Sequence, residues 1–221
     1  MINMDKYDFF IFDCDGVILD SNKLKSNAFA EALPNEPPDL VAEFVQYHKQ
    51  NGGISRYEKF RYYFEEMKKQ VEAEAEIDKA LNNFAAIVSE GLLKCNYIPG
   101  VVEIIRELFN LNKRLFVVSG SDEKELIQVF RQRGIDHYFE NIYGSPDTKP
   151  DILKRELEQG LLKSPMVYIG DSKHDYECAK RYNSDFIFMT QYSEFVGWQK
   201  YFKDKPVFIT SNLKALACQI I

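Results

Sequence analysis

Two carboxylates separated by a single residue follow the first apolar run of the chain. Asp13 and Asp15 come directly after residues 9–12, whose sequence Phe-Phe-Ile-Phe is typical of a buried strand. Gly16 follows them and permits a tight turn, where a side chain would obstruct the close approach of a ligand. Two carboxylates roughly 4 Å apart repel each other by about 4 kcal/mol at an effective dielectric of about 20. The pair therefore predicts a bound cation or a shared proton.

Further polar side chains follow three more short apolar runs. The runs at residues 115–118, 142–144 and 166–169 precede a hydroxyl, an ammonium group and two carboxylates, namely Ser119, Lys149, Asp171 and Asp175. In a parallel sheet the carboxyl ends of the strands lie at one edge, where open α/β folds bind their ligands. We therefore expect these groups to converge with Asp13 and Asp15 in one crevice.

The elements that must position these residues fall into two groups. Strand signals are absent between residues 22 and 96, where the sequence predicts four helices: Asn22–Leu33, Leu40–Gln50, Ser55–Gln70 and Ala73–Leu93. Beyond Pro99, helices and strands alternate. The helices are predicted near Val101–Asn110, Asp122–Arg133, Asp151–Glu158 and Asp175–Arg181, and the last strands near Phe186–Met189 and Val207–Ile209.

This alternation predicts an α/β fold built on a doubly wound parallel sheet. Residues 1–20 and 96–221 would form the sheet domain, and residues 21–95 would form an all-helical insertion. A chain of 221 residues with 45% hydrophobic content is long enough to bury the core that such a fold requires.

The composition disfavours several classes of partner. The net charge is −6 and acidic and basic residues are interspersed, which argues against nucleic acid and anionic membranes. No stretch approaches the roughly 18 consecutive apolar residues of a membrane span, and the polar first six residues lack the apolar segment of a signal peptide. We expect reduced thiols, a cytoplasmic location and, by default, a monomer. Four cysteines without CxxC spacing support the reduced state: Cys14, Cys95, Cys178 and Cys218.

In this order and at these places, the four polar segments resemble the motifs of the haloacid dehalogenase superfamily. The likeness is to its phosphatases with a helical cap, such as phosphoglycolate phosphatase and β-phosphoglucomutase-like proteins. The specific motifs are the opening Asp13-Cys14-Asp15-Gly16-Val17 and the closing Gly170-Asp171-Ser172-Lys173-His174-Asp175. The resemblance covers nearly the whole chain. It implies a Rossmann-like core and identifies the helical insertion as the cap domain.

The resemblance also implies roles for the acidic residues. Phosphate-monoester hydrolysis needs accelerations of up to about 10²¹-fold, whereas a general acid alone supplies only about 10²–10⁴-fold. Covalent catalysis with a metal is therefore expected, with Asp13 as the nucleophile that forms an aspartyl-phosphate and Asp15 as the general acid and base. Mg²⁺ is the expected cofactor. Its expected ligands are the side chains of Asp13 and Asp171 and the backbone carbonyl of Asp15, with Asp175 acting nearby or through a water.

Other residues are expected to bind the substrate. Ser119 would donate its hydroxyl to a phosphoryl oxygen, helped by the backbone amide of Gly120, while Lys149 would offset the charge on the nucleophile and the phosphoryl group. Ser121 fits the N-cap of the next helix better, and His174 is assigned no role. In the cap, Arg56 follows Gly52-Gly53-Ile54-Ser55 and is expected to contact the substrate, the alternative being a solvated helix residue.

Four alternatives to a phosphatase differ in what they require of the sequence. Dehalogenases and phosphonatases lack a carboxylate at the position of Asp15, so both are disfavoured. The mutases of the superfamily carry a His where this chain has Lys25, which weakens a phosphoryl-transfer reading without excluding it. A non-catalytic phospho-ligand-binding protein would not need every motif residue. The sequence thus predicts a Mg²⁺-dependent phosphatase of a small phosphorylated metabolite, such as a sugar phosphate.

Overall fold

Six parallel strands form the centre of the protein. In the computed structural model, which describes residues 3–214, the strand order is β3-β2-β1-β4-β5-β6 and every paired strand runs parallel to its neighbour. The strands are β1 (Phe9–Phe12), β2 (Arg114–Asp122), β3 (Asn141–Ser145), β4 (Met166–Gly170), β5 (Asp185–Met189) and β6 (Phe208–Thr210). The chain proceeds outward from β1 to β3 on one side and from β4 to β6 on the other. The order reverses between β1 and β4, where such sheets form a ligand crevice.

Helices cover the sheet and fill the insertion. Four lie in the insertion that follows β1: α1 (Asn22–Glu31), α2 (Pro38–Gln50), α3 (Arg56–Arg61) and α4 (Glu74–Lys94). The others are α5 (Val101–Asn110), α6 (Glu123–Gln132), α7 (Lys149–Glu158), α8 (Lys173–Arg181) and α9 (Trp198–Phe202). The predicted α/β class with a doubly wound sheet and a helical cap is confirmed. None of the helices in the described range is long and apolar enough to cross a membrane, and Cys218 lies outside the described residues.

The strands are buried on both faces of the sheet. Phe10 and Phe12 of β1 belong to one apolar cluster, and Phe9 and Ile11 belong to the cluster on the opposite face. This division follows from the alternation of side chains along a strand. Burial on both faces explains why the strands are continuous apolar runs in the sequence.

Aromatic residues pack the interior of the cap. The ring of Phe29 lies 4.5 Å from that of Phe84 and 5.3 Å from that of Phe60, and Phe44 lies 4.9 Å from Tyr63. Phe60 of α3 and Tyr63, which follows α3, thus belong to the core of the cap. The third predicted helix, Ser55–Gln70, is shorter than expected, because α3 passes into a π-helical turn at Tyr62–Met67.

The two ends of the insertion pair with each other. The amide of Asp20 donates to the carbonyl of Asn96 at 2.9 Å, and the amide of Ile98 donates to the carbonyl of Ile18 at 3.0 Å. The chain therefore leaves the sheet domain for the cap and returns to it at one point. The boundaries at residues 21 and 95 stay a prediction that is compatible with this pairing.

Candidate active site

The predicted site residues lie at the carboxyl edge of the central strands. Asp13 follows β1, Asp171 follows β4, and Ser119 lies near the end of β2. A pocket opens between this edge and the cap, and its walls include Asp13, Asp15, Gly120, Asp171 and Arg56. Three further predicted residues are buried close to its floor: Ser119, Lys149 and Asp175. The fold thus brings together residues that are far apart in the sequence.

Lys149 connects two carboxylates beneath the pocket. Its Nζ lies 2.9 Å from Asp13 Oδ1 and 2.6 Å from Asp175 Oδ1, and its side chain is fully buried. The sequence predicts that this helix begins near Asp151, but α7 begins two residues earlier, at Lys149, with Thr148 as its N-cap. Proline fits the first turn of a helix because the amide it lacks has no intrahelical partner there.

Three carboxylates of the site lie close together around Lys149. Asp13, Asp171 and Asp175 each place an oxygen within 4.8 Å of the others. Burial raises the pKa of Asp13 to about 7 against the charge of Lys149, and burial together with Asp13 raises the pKa of Asp171. This donor set of buried, mutually repelling oxygens fits a hard divalent cation.

Asp175 is already held by protein groups at both oxygens. Its Oδ1 accepts from Lys149, and its Oδ2 accepts from the amide and the hydroxyl of Ser172 at 3.1 and 2.6 Å. Asp171 is less constrained, with Asn22 Nδ2 donating to its Oδ2 at 2.6 Å. These contacts favour Asp171 over Asp175 as a direct ligand. A Cβ on Gly16 would lie 2.2 Å from Asp171 Oδ2, which explains the glycine after Asp15.

Asp15 has a different environment from the other carboxylates. Its Oδ1 accepts from Ser21 at 2.5 Å, and its Oδ2 accepts from Lys25 at 2.7 Å and from Ser121 at 3.0 Å. Burial acts to raise the pKa of Asp15, but the charge of Lys25 and these hydrogen bonds outweigh it and lower the pKa. The side chain of Asp15 is therefore turned toward Lys25 and held as a carboxylate.

Ser121 takes part in the site, and its predicted role as N-cap of α6 is wrong. The N-cap is Asp122, whose side chain accepts from the amide of Glu125 at 2.9 Å. Because β2 continues through Asp122, Ser121 points to the same side as Ser119, and Ser119 Oγ donates to Ser121 Oγ at 3.0 Å. Ser121 lines the pocket, whereas Ser119 is fully buried behind it. Binding of phosphate by Ser119 stays a prediction.

Arg56 joins the cap to the core. Its Nη1 lies 3.0 Å from Glu125 Oε2 and its Nη2 lies 3.7 Å from Asp122 Oδ2, both on the core side. The side chain lines the pocket and the residue is only 8% exposed, so the alternative of a solvated helix residue is wrong. Contact with substrate stays a prediction, since both arms of the guanidinium already meet carboxylates.

Several pocket residues were not identifiable from the sequence motifs. Asn22, His48, Lys59 and Glu125 all line the pocket. They lie on cap helices or on α6, where a polar residue is ordinarily solvated. The one available signal is a Lys or His inside an aromatic stretch, as for Lys59 beside Phe60.

Comparison with known proteins shows the family. The model of the haloacid dehalogenase-like hydrolases matches residues 10–189, and the chain belongs to this family of hydrolases. Pyrophosphatase PpaX of Listeria monocytogenes is 27% identical over 188 residues, covering 77% of each chain.

Two solved structures show the same fold. The crystal structure described as a predicted phosphoglycolate phosphatase from Haemophilus somnus has a TM-score of 0.77 at 19% identity, covering 99% of this chain and 100% of that one. The β-phosphoglucomutase of Clostridium difficile has a TM-score of 0.72 at 18% identity, covering 95% and 93%. The resemblance found in the sequence is thereby confirmed at the level of family and fold.

Proposed function

We propose that this protein is a Mg²⁺-dependent phosphatase that hydrolyses small phosphorylated metabolites through an aspartyl-phosphate on Asp13. The observation that carries the proposal is the setting of the Asp13 carboxylate. Its Oδ1 accepts from the amide of Cys14 at 2.7 Å and pairs with Lys149 at 2.9 Å. No hydrogen bond from a described residue occupies Oδ2, which leaves that oxygen for attack on phosphorus.

The surrounding residues support the same reaction. A bound Mg²⁺ would supply the positive charge that offsets the phosphoryl group, and Asp171 and Asp13 are the carboxylates best placed to hold it. Lys149 fixes Asp13, and Gly120 and Ser121 face the same pocket. Asp15 lies at the pocket wall, where it can exchange a proton with the leaving oxygen once substrate displaces part of its present hydrogen bonding.

The position of the pocket limits the size of the expected substrate. The pocket lies between cap and core, so a small molecule fits and a macromolecule must first displace the cap.

The mutase alternative requires a base at the position of Lys25. Here Lys25 forms an ion pair with Asp15 at 2.7 Å, and the charge of Asp15 helps to raise the pKa of Lys25 against the effect of burial, which disfavours a basic role.

A panel of phosphate esters tests the proposal. Phosphate release should require Mg²⁺ and stop with EDTA, and pyrophosphate belongs in the panel because the curated relative bears that activity in its name. Asp13→Asn should abolish release while retaining the circular dichroism of the wild type. Beryllium fluoride, a mimic of the aspartyl-phosphate, should bind at Asp13. Full activity of Asp13→Asn would rule out the covalent mechanism.

A further inference from the structure

A lysine without a counter-charge lies in the cap wall of the pocket. Lys59, on α3, is only 2% exposed and lines the pocket one helical turn beyond Arg56. Its Nζ lies 2.9 Å from Nδ1 of His48. Among residues 3–214, no carboxylate forms an ion pair with it.

The other lysines and the arginine of the pocket wall are each paired with a carboxylate. The pairs are Lys25 with Asp15 at 2.7 Å, Arg56 with Glu125 at 3.0 Å, Lys49 with Glu194 at 3.8 Å and Lys173 with Glu177 at 3.4 Å. Lys59 therefore differs from its neighbours in the pocket, and its partner is not supplied by the described part of the chain. A buried charge without a partner is strongly unfavourable, so the protonated form of Lys59 is stabilised if an anion binds beside it.

His48 adds a second polar group that lacks a partner. Its Nε2 is buried without a hydrogen bond, and the nearest carboxylate oxygen, Glu194 Oε2, lies 3.9 Å away. That carboxylate is already bound by Ser26 Oγ at 2.6 Å. When Lys59 donates to Nδ1, Nε2 carries the proton of the neutral ring and becomes a free donor.

The electrostatics around Lys59 favour an incoming anion. Burial and the positive charges of Lys25 and Lys149 lower the pKa of Lys59 to about 7, against the opposing effect of the negative charges of Asp15 and Glu58. Burial likewise lowers the pKa of His48, so its ring is neutral. A negatively charged group placed against Nζ would favour the protonated lysine and supply the missing counter-charge.

We propose that Lys59 and His48 form a subsite for a second anionic group, a carboxylate or a phosphate, on the organic part of the substrate. The inference rests on the proposed phosphatase function and assigns it a substrate class. The phosphoryl group to be transferred binds beside Asp13, and the remote anion accepts from Lys59 Nζ and from His48 Nε2 under the cap. Esters whose organic part is neutral leave the subsite unfilled.

Paired substrates and a charge-removing variant test the subsite. Initial rates are measured with Mg²⁺ for short ω-carboxyalkyl phosphates, alkanediol bisphosphates and n-alkyl phosphates of equal chain length, in the wild type, Lys59→Met and Lys79→Met. Lys79 is exposed on α4, so Lys79→Met removes the same charge from the cap outside the pocket. The first two substrate series distinguish a carboxylate from a phosphate as the preferred anion.

The wild type should prefer an anionic series over the neutral one in kcat/KM. Lys59→Met should reduce this preference by about 10- to 100-fold, as expected for a lost charged hydrogen bond, and Lys79→Met should retain it. A preference that survives in Lys59→Met would overturn the proposal.

Binding of unreactive analogues separates this inference from the phosphatase itself. The Kd values of ω-carboxyalkyl and n-alkyl phosphonates, measured by calorimetry, should show the same dependence on Lys59. Failure of every ester to be hydrolysed would count against the phosphatase, while the phosphonate affinities would still decide the subsite. Equal affinities for charged and neutral phosphonates in the wild type would reject it.

Discussion

The acidic residues of the site differ in their protonation behaviour because their neighbours differ. Asp15 has a lowered pKa, since the charge of Lys25 outweighs the effect of burial. Asp13 has a pKa raised to about 7 by burial, and burial also raises that of Asp171. When their surroundings give neighbouring carboxylates different pKa values, the carboxylates commonly have different catalytic roles. Asp15 is thus set apart from the carboxylates that are expected to hold the metal.

Asp171→Asn should weaken Mg²⁺ binding, whereas Asp15→Asn should preserve it. The first substitution removes a charged oxygen from the acidic cluster. The second changes a side chain that faces Ser21 and Lys25, and it leaves the backbone carbonyl in place. Titration calorimetry with Mg²⁺ measures both, and we expect a loss of about ten-fold or more for Asp171→Asn. The reverse ranking would show that the two roles are exchanged.

At the level of elements, the segment from Gly52 to α3 connects the cap to the core. Arg56 meets Glu125 and Asp122 of the core, and Tyr57 OH donates to Asp122 Oδ2 at 2.7 Å. A Cβ on Gly120 would lie 2.4 Å from the carbonyl oxygen of Gly53. The closed arrangement therefore depends on a buried ion pair and on a backbone contact.

Arg56→Ala and Glu125→Gln should have non-additive effects on kcat/KM. If the ion pair holds the cap closed, each variant should lower kcat/KM by about ten-fold or more. The double variant should then be little worse than either single one, because the pair is already broken. A double-mutant cycle with p-nitrophenyl phosphate measures the coupling. Additive losses would instead indicate that Arg56 contacts the substrate independently of Glu125.

Gly120→Ala should impair closure without removing any hydrogen-bonding group. The new Cβ would collide with the Gly53 carbonyl at 2.4 Å, while the backbone amide of residue 120 is retained. We expect kcat/KM to fall by more than about ten-fold and the circular dichroism to be unchanged. Gly52→Ala is the matched control, since its Cβ would lie 3.2 Å from Ser172 Cβ and requires a smaller adjustment. Similar losses in both variants would contradict a specific role for the contact.

The sequence predicts the elements that carry their own local signal. Asp13, Asp15 and Asp171 directly follow apolar strands, so their convergence follows from the topology of a parallel sheet. Lys59 and Glu125 cannot be found in this way, because their roles depend on how the cap rests on the core. Ser121 was unpredictable for a related reason. Whether this residue belongs to β2 or to the start of α6 depends on the pairing of β2 with β3, which resumes at Asp122 after an irregularity.

At the scale of the whole molecule, four carboxylates of the site face only two ammonium groups. Asp13, Asp15, Asp171 and Asp175 face the two ammonium groups of Lys25 and Lys149. When all four carboxylates are ionised, two negative charges remain uncompensated, which matches the charge of one divalent cation. Metal binding should therefore stabilise the entire fold, because binding to the native state shifts the unfolding equilibrium.

Mg²⁺ should raise the Tm of the wild type, and by more at pH 8 than at pH 6. Burial raises the pKa of Asp13 from 3.8 to about 7, so between these values the folded metal-free protein holds a proton that the unfolded chain has lost. Its stability consequently falls as the pH rises through this window, whereas a metal ion requires the ionised carboxylate. The free energy of unfolding rises by about 2.7 kcal/mol at a hundred-fold excess of Mg²⁺ over Kd.

Thermal unfolding with Mg²⁺ and with EDTA measures this stabilisation, and Asp171→Asn should lose most of the Tm shift at both pH values. Equal shifts in the variant and the wild type would contradict a metal site built on Asp171.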